Sequence, residues 1–279
     1  MSTRAWYARP AALSCRQPSA LTVSPIAPPY ACFAPPSDAD RLRPHELSPG
    51  TIFGLEVRQR PCSVESLRQG LHRIRRRFPA VPIVLHLTQP LDPETVHLTQ
   101  LATQLHVRGA IVDPEPVGQT LRWLLTDPVD LAADVEEWLS IRGPKLPPAV
   151  SHLVWQSFRL ASSRAEVRAL LGEVGESART ARARCRKLGL PPPAGWLRVA
   201  RAVHAALCLQ RFPATPLLAA AMRLGYSDHS ALSHQLSRLF GMRTEVIRRN
   251  LGWEWLLDAW LVRWSTCVAV PHGRGHPGV

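Results

Sequence analysis

Residues 222–241 constrain the fold of this chain more than any other segment, because they combine a turn signal with one-sided helical periodicity. Gly225 can adopt a positive φ, which ends a helix and permits a sharp turn. Ser227 or Asp228 can then cap the helix that follows. Apolar side chains recur along that helix at a spacing that forms one narrow stripe. They are Leu232, Leu236, Leu239 and Phe240. The segment therefore predicts two short helices joined by a tight turn.

The face of the second helix that lies opposite the apolar stripe is short and polar. Its candidate contact residues are His229, Ser230, Ser233, His234, Ser237 and Arg238. Hydroxyl, imidazole and guanidinium groups hydrogen-bond with base edges, and a helix with an apolar back and a polar front fits the major groove of DNA. The pattern indicates the reading helix of a helix-turn-helix, and the alternative is an ordinary solvated face.

A second unit of the same kind is predicted about 50 residues upstream. Gly172 to Gly175 separates two helices, and Ser177 can cap the second one. The inner stripe of that helix is Ala178, Ala181, Cys185 and Leu188. Its outer face carries Arg179, Arg182 and Arg186, with Lys187 at the edge. Guanidinium groups can fork onto guanine or phosphate, so this face suits a second major groove one helical turn away.

The charge distribution supports a polyanionic partner for the same half of the chain. Residues 1–140 carry no net charge, whereas residues 141–279 carry 20 basic and 7 acidic side chains and so hold the whole formal charge of +13. Arginine far outnumbers lysine, which a codon bias can explain, but such a bias does not explain the asymmetry. The sequence therefore predicts a neutral sensing or interaction region joined to a nucleic-acid-binding region.

The residues from Leu224 to Gly241, LGYSDHSALSHQLSRLFG, followed by a helix at 244–249, resemble the AraC/XylS-type double helix-turn-helix domain of bacterial transcription regulators. A weaker resemblance extends over 177–193 and the linking helix at 196–209, so that about residues 151–250 are covered. The resemblance implies which residues of the two helices face the bases. In the second reading helix they are His229, Ser230 and His234. In the first they are Arg179, Arg182 and Ala183.

The chain departs from that family pattern at three positions. Leu232 stands where the family usually has Phe, His234 replaces the usual basic residue, and Thr244 replaces a proline. The departures leave the double helical architecture as an expectation but carry no base preference over to this chain. The second reader is weakly charged, so the arginines of the first are expected to supply much of the affinity.

The first half of the chain alternates short apolar runs with helical patterns. The run at 81–88 reads as a buried parallel strand, and helices are predicted after Ser63, Asp92 and Val117. This alternation predicts a parallel sheet covered by helices. The predicted fold class is thus an α/β N-terminal domain, receiver-like, followed by an all-α C-terminal domain with two helix-turn-helix units.

Residues of about 30–125 resemble, more faintly, the receiver domain of response regulators. Phe-Pro-x-x-Pro at 78–82, Thr88 and Gly109-Ala110 match positions of that family. Its phosphorylation chemistry does not carry over, because only Glu56 stands near the acceptor position and Asp113 replaces the family's lysine. We therefore expect a phosphorylation-independent pseudo-receiver, and a generic α/β sandwich is the alternative.

Composition shifts predict the boundaries of five segments. Residues 1–28 are expected to be disordered, 29–141 to form the receiver-like domain, 142–150 a linker, 151–265 the DNA-binding domain, and 266–279 a disordered tail. The six cysteines are scattered without a C-x-x-C motif and predict reduced thiols. No apolar run reaches the roughly 20 residues of a membrane span, so a cytoplasmic protein is expected.

The function predicted from these patterns is sequence-specific DNA binding by a bacterial transcription regulator rather than enzymatic activity. No Walker loop or zinc-protease motif occurs, and no cofactor or metal is expected. The expected partner is double-stranded DNA, with a homodimer and contact with RNA polymerase or another regulator left open. The alternative is a protein-interaction adaptor, because residues 253–264 hold four of the nine tryptophans.

Overall fold

The computed structural model describes residues 71–87, 100, 107–112 and 117–269, apart from 73, 144 and 164, together with the backbones of three earlier strands. Helices account for 71% of the interpretable residues. The segments predicted to be disordered, 1–28 and 266–279, lie outside the described residues, apart from the backbone of one strand and the last turn of one helix. The described part of the chain is therefore mostly helical.

Ten helices follow one another within the described part from residue 117 onward. They are α1 (Val117–Thr126), α2 (Leu131–Arg142), α3 (Pro148–Arg159), α4 (Val167–Val174), α5 (Ala178–Lys187), α6 (Pro193–Arg211), α7 (Leu217–Arg223), α8 (His229–Phe240), α9 (Thr244–Arg249) and α10 (Glu254–Ala269). One turn of 3-10 helix at Ala161–Ser163 lies between α3 and α4.

Strand structure with described side chains is limited to two short segments in β4 (Ile83–Leu87) and β5 (Ala110–Val112). Three earlier strands are described by their backbones alone, namely β1 (Arg4–Pro10), β2 (Tyr30–Phe33) and β3 (Ile52–Val57). The backbone of β1 pairs antiparallel with β2 and with β3, whereas β3, β4 and β5 pair in parallel. The strand pairing is thus mixed.

The predicted fold class, with a receiver-like α/β domain on a parallel sheet, is wrong. The interpretable residues are mostly helical and do not show a parallel sheet flanked by helices, and the antiparallel pairing of β1 does not belong to such a sheet. Thr88, Asp113 and the side chain of Glu56, on which the receiver resemblance partly rested, lie outside the described residues.

The apolar run at 81–88 does contain a parallel strand, β4, but its buried beginning also faces a helix. Val81, Ile83 and Val84 are buried. Just before them, the Pro79 carbonyl accepts a hydrogen bond from Trp138 Nε1 of α2 at 2.6 Å. A short apolar run can be buried by a helical layer as well as by a parallel sheet, and periodicity alone does not distinguish the two.

A single hydrophobic core continues across the predicted linker at 142–150. Val135 and Leu139 of α2 are buried in the same cluster as Leu153 and Val154 of α3. Helix α3 already begins at Pro148, so only residues 143–147 separate the two helices. Helix α2 therefore packs as part of the helical bundle, and the predicted boundary at 141 is not a break in the packing.

A buried ion-pair network joins the residues before β5 to this bundle. Arg108 Nε donates to Glu254 Oε1 at the start of α10 at 2.8 Å, and Arg108 Nη1 donates to Asp134 of α2. Its guanidinium carbon lies 4.4 Å from the ring centroid of Trp253. Burial alone lowers the pKa of Arg108, but the carboxylates of Glu254 and Asp134 outweigh burial and raise that pKa. The guanidinium therefore stays charged inside the fold.

The long helix α6 forms the centre of the bundle, and its C-terminal end is held by polar contacts. The side-chain amide of Gln210, which is fully buried, donates to the Gly252 carbonyl and accepts from the Gly252 N–H, both at 3.0 Å. Arg211 donates to both carboxylate oxygens of Asp127, at 2.7 and 2.6 Å. These contacts connect α6 to α1 and to the loop before α10.

Candidate nucleic-acid interface

The first helix-turn-helix consists of α4 and α5. Helix α4 ends at Gly175, which has a φ of 71°, a left-handed conformation that favours glycine. The Glu176 N–H then donates to the Leu171 carbonyl at 3.2 Å, which satisfies a helix-end acceptor. Ser177 caps α5, because its Oγ accepts from the Thr180 N–H at 3.1 Å. The predicted cap is confirmed, but the turn begins only at Gly175, because Gly172 still belongs to α4.

The second helix-turn-helix consists of α7 and α8 and repeats the same design. Gly225 has a φ of 83°, and the Tyr226 N–H donates to the Ala221 carbonyl at 2.9 Å. Asp228 caps α8, since its Oδ1 accepts from the Ala231 N–H at 2.8 Å. The Ser227 hydroxyl donates to the other carboxylate oxygen at 3.1 Å. The hydrogen bond from Ala231, followed by that from Ser227, lowers the pKa of Asp228.

The second helices of the two units, α5 and α8, are called the reading helices after their predicted role, and both are anchored by the central helix α6. Ala181 and Cys185 of α5 are buried, and so are Leu232, Leu236 and Phe240 of α8. All five belong to or adjoin the core to which α6 contributes most of its length. Of the other predicted stripe residues, Ala178 and Leu239 are half-buried, and Leu188, which follows the end of α5, is 40% exposed.

Nine of the ten predicted contact residues are exposed on the two reading helices. They are Arg179, Arg182, Ala183 and Arg186 on α5, and His229, Ser230, His234, Ser237 and Arg238 on α8. The tenth, Ser233, is half-buried, and its Oγ accepts from Thr244 Oγ1 at 3.3 Å. The structure thus brings the predicted residues onto two outward faces, with Ser233 at the rim of its face.

The cations of α5 divide into a free set and a neutralised one. Arg184 points toward the turn and donates to the Glu176 carboxylate. Within the described part of the chain, Arg179, Arg182 and Arg186 form no ion pair. Exposed guanidinium groups without a carboxylate partner repel one another, and a polyanion would relieve that repulsion.

When the two units are aligned at their cap residues, Ser177 and Asp228, each outer residue of α5 corresponds to one outer residue of α8. Arg179 corresponds to Ser230, Arg182 to Ser233, and Arg186 to Ser237. Lys187, which the sequence analysis placed only at the edge of this face, corresponds to Arg238 and so occupies an equivalent contact position. The offset of 51 residues between Ser177 and Asp228 would have revealed it.

The tryptophan-rich helix α10 is mostly part of the core. Trp253, Trp255 and Trp260 are at most 5% exposed, and Trp260 packs edge-to-face on Trp196 of α6 at a centroid distance of 5.2 Å. Trp264 Nε1 donates to the Gly189 carbonyl, just beyond α5, at 3.0 Å. Burial within one chain therefore accounts for most of the tryptophans at 253–264 that had suggested an adaptor surface.

His204 and Cys208 form a close histidine–cysteine pair on α6, with 4.0 Å between Nε2 and Sγ. Burial lowers the pKa of His204 and raises the pKa of Cys208. Both shifts favour the neutral groups, which is the opposite of a thiolate–imidazolium pair activated for nucleophilic catalysis. Within the described residues, no group of three or more His, Cys, Asp or Glu side chains could hold a metal ion.

The chain matches no protein-family model, no curated protein and no solved structure. In the described part of the chain, no helix combines the length and the apolar character that crossing a membrane would require. The geometry of the two capped reading helices is therefore the main guide to function.

Proposed function

We propose that this protein is a sequence-specific DNA-binding transcription regulator that reads two successive major grooves with α5 and α8. The observation that carries the proposal is the repeated unit: a left-handed glycine, a side-chain cap, and a helix with a buried back and an exposed polar front. Gly175 and Ser177 provide the turn and cap in one unit, and Gly225 and Asp228 provide them in the other.

The chemistry of the two fronts suits base edges and phosphates. An α-helix fits the major groove, where guanine presents two acceptors that a guanidinium can contact with both arms. Arg179, Arg182 and Arg186 supply three such groups without competing carboxylates in the described residues. Ser230 and His234 supply shorter donors and acceptors, which read a base edge only when the helix backbone lies close to it.

The resemblance of Leu224–Gly241 to AraC/XylS-type regulators agrees with this function. As part of the same proposal, the protein acts on duplex DNA in the bacterial cytoplasm, and a homodimer or a contact with RNA polymerase would add to that activity. The alternative is a protein-interaction adaptor that uses the N-terminal region and the tryptophan-rich segment at 253–264 without specific DNA binding, and the burial of Trp253, Trp255 and Trp260 favours the regulator over it.

The test uses the full-length protein, because the core continues from α2 into α3 and a fragment cut between them would expose it. The protein is incubated with a library of randomised duplexes, bound duplexes are amplified over several rounds, and Kd is then measured at several salt concentrations. We expect enrichment of a defined motif and a linear fall of log K with log salt. Binding without any enrichment would indicate a general polyanion binder and would contradict the proposal.

A further inference from the structure

Two adjoining hollows lie between α5 and α8, and together they are called the furrow. Its first part, beside α5, is lined by Val167, Arg168, Leu171 and Arg182 among others. Its second part, beside α8, is lined by Val167, Arg168, Arg198, Arg201 and Gln235 among others. Val167 and Arg168 line both parts, so the two hollows adjoin at the start of α4, with Arg182 of the first reader in one and Gln235 of the second in the other.

The furrow is positively charged. Arg168 and Arg198 are exposed and form no ion pair within the described part of the chain. Arg201 is half-buried and donates to the Ala165 carbonyl, which fixes its guanidinium at the wall. Two acids also line the furrow, and one of them, Glu176, is neutralised by Arg184. Glu166 is the remaining acid, and it is exposed.

Two major-groove segments on one side of a duplex are about one helical turn apart, and the minor groove between them is bordered by two sugar–phosphate strands. We propose that the furrow binds the phosphates of one of these strands through Arg168 and Arg198. The inference rests on the proposed function and adds a binding site to it. Guanidinium contacts with phosphate oxygens position a protein on DNA without reading bases, so the furrow contributes affinity that is independent of sequence.

The test compares the full-length variants Arg168→Ala and Arg198→Ala with the wild type on two duplexes, the selected motif and an unrelated sequence, over a series of salt concentrations. Each variant is expected to weaken binding to both duplexes by the same factor and to reduce the slope of log K against log salt by about 0.9. A slope difference of about 0.9 changes the ratio of wild-type to variant affinity about eightfold for each tenfold change in salt concentration. The enriched motif should not change.

Two matched variants serve as controls. Arg159→Ala removes the same charge from an exposed arginine of α3 that pairs with Glu173 at 2.8 Å and does not line the furrow. Its salt slope should equal that of the wild type. Glu166→Gln removes the exposed acid of the furrow and should tighten binding to both duplexes. Unfolding temperatures close to the wild-type value will show that the variants remain folded.

The outcomes separate this inference from the proposed function. If the wild type selects a motif but both furrow variants keep its salt slope, the furrow does not hold a DNA strand. A changed motif in either variant would mean that the furrow reads bases, which also overturns the inference. Stabilisation of the wild type by inorganic phosphate at constant ionic strength, lost in Arg198→Ala, would assign the furrow to free phosphate instead. A wild type that binds no duplex would overturn both proposals.

Discussion

The two reading helices begin with the same kind of glycine turn and side-chain cap, but they differ in the side chains that they present to a ligand. Helix α5 shows a cationic front of Arg179, Arg182, Arg186 and Lys187, whereas α8 shows Ser230, His234 and Ser237 with the single cation Arg238. The turn and the cap depend on glycine and on one acceptor side chain, which leaves the outer face free to vary. Under the proposed function, the same turn and cap serve electrostatic anchoring in one unit and hydrogen-bond readout in the other.

The buried faces of the two helices also differ: the weakly charged helix α8 buries larger apolar side chains than the strongly charged helix α5. Helix α8 buries Leu232, Leu236 and Phe240, and full burial of such side chains contributes about 1.5–3 kcal/mol each. Helix α5 buries only the small side chains of Ala181 and Cys185. Its position depends more on polar ties, among them the hydrogen bond between Trp264 and the Gly189 carbonyl. The more highly charged reader is thus the one with the smaller apolar anchor.

The largest effect is expected when the front of α5 is made like that of α8. The triple variant Arg179→Ser, Arg182→Ser, Arg186→Ser removes three exposed cations. If each contacts a phosphate, the slope of log K against log salt should fall by about 2.7, and affinity at 0.1 M salt by roughly 10²–10³-fold. A salt titration with the selected duplex measures both quantities. An unchanged slope would show that anchoring does not reside in α5.

A smaller effect is expected for single substitutions at corresponding positions of the two readers. Arg182→Ala should weaken binding by about 1–3 kcal/mol if the guanidinium contacts a base with both arms. Ser233→Ala, at the equivalent position of α8, should cost much less, because its hydroxyl is engaged by Thr244. Kd values on a single-substitution operator library compare the two variants. Equal losses would contradict the assignment of the main anchor to the first reader.

The two caps should respond differently to pH. Ser177→Ala should lower the free energy of unfolding by about 1 kcal/mol at any pH. Asp228 has a lowered pKa, so its ionised form stabilises the fold above the carboxyl's ordinary pKa, and this contribution disappears as pH falls through the lowered value. The difference between wild type and Asp228→Ala should therefore shrink in acid. Denaturant unfolding at pH 7 and near pH 3 measures it, and a difference that persists in acid would refute the charged cap.

The smallest effect on DNA binding is expected at His234, whose counterpart on α5 is Ala183. His234→Ala makes the two positions alike and removes one side-chain hydrogen bond, which is typically worth about 0.5–1.5 kcal/mol. Preference at one or two base pairs should relax, while the salt slope stays the same. The same operator library reports both. A loss larger than that of Arg182→Ala on every sequence would reverse the proposed division between the readers.

Local features of the fold could be predicted from the sequence because they depend on residues within one helical turn. The positive φ at Gly175 and Gly225 and the caps at Ser177 and Asp228 belong to this class. The exposed positions of α5 and α8 follow from the same periodicity. Leu188 does not follow this periodicity, because α5 ends at Lys187 and Leu188 is no longer part of the helix.

Long-range features could not be predicted in the same way. The contact between Arg108 and Glu254 joins residues 146 positions apart, and nothing near either residue indicates the other. The packing of residues 81–84 against α2 was not foreseen, because the hydrophobic pattern of a strand does not indicate which element covers it. The furrow arginines Arg168 and Arg198 were missed because they lie on different helices and meet only in the folded chain.

The Arg108 network has a consequence for how this protein can change over generations. Replacing Arg108 alone would leave the carboxylates of Asp134 and Glu254 facing each other without their cation, and replacing either acid would leave the cation under-compensated, a defect that typically costs several kcal/mol. Substitutions at these three positions should therefore survive only in combination. Among natural variants of this protein, the three residues are expected to covary, although they belong to three separate elements of the fold.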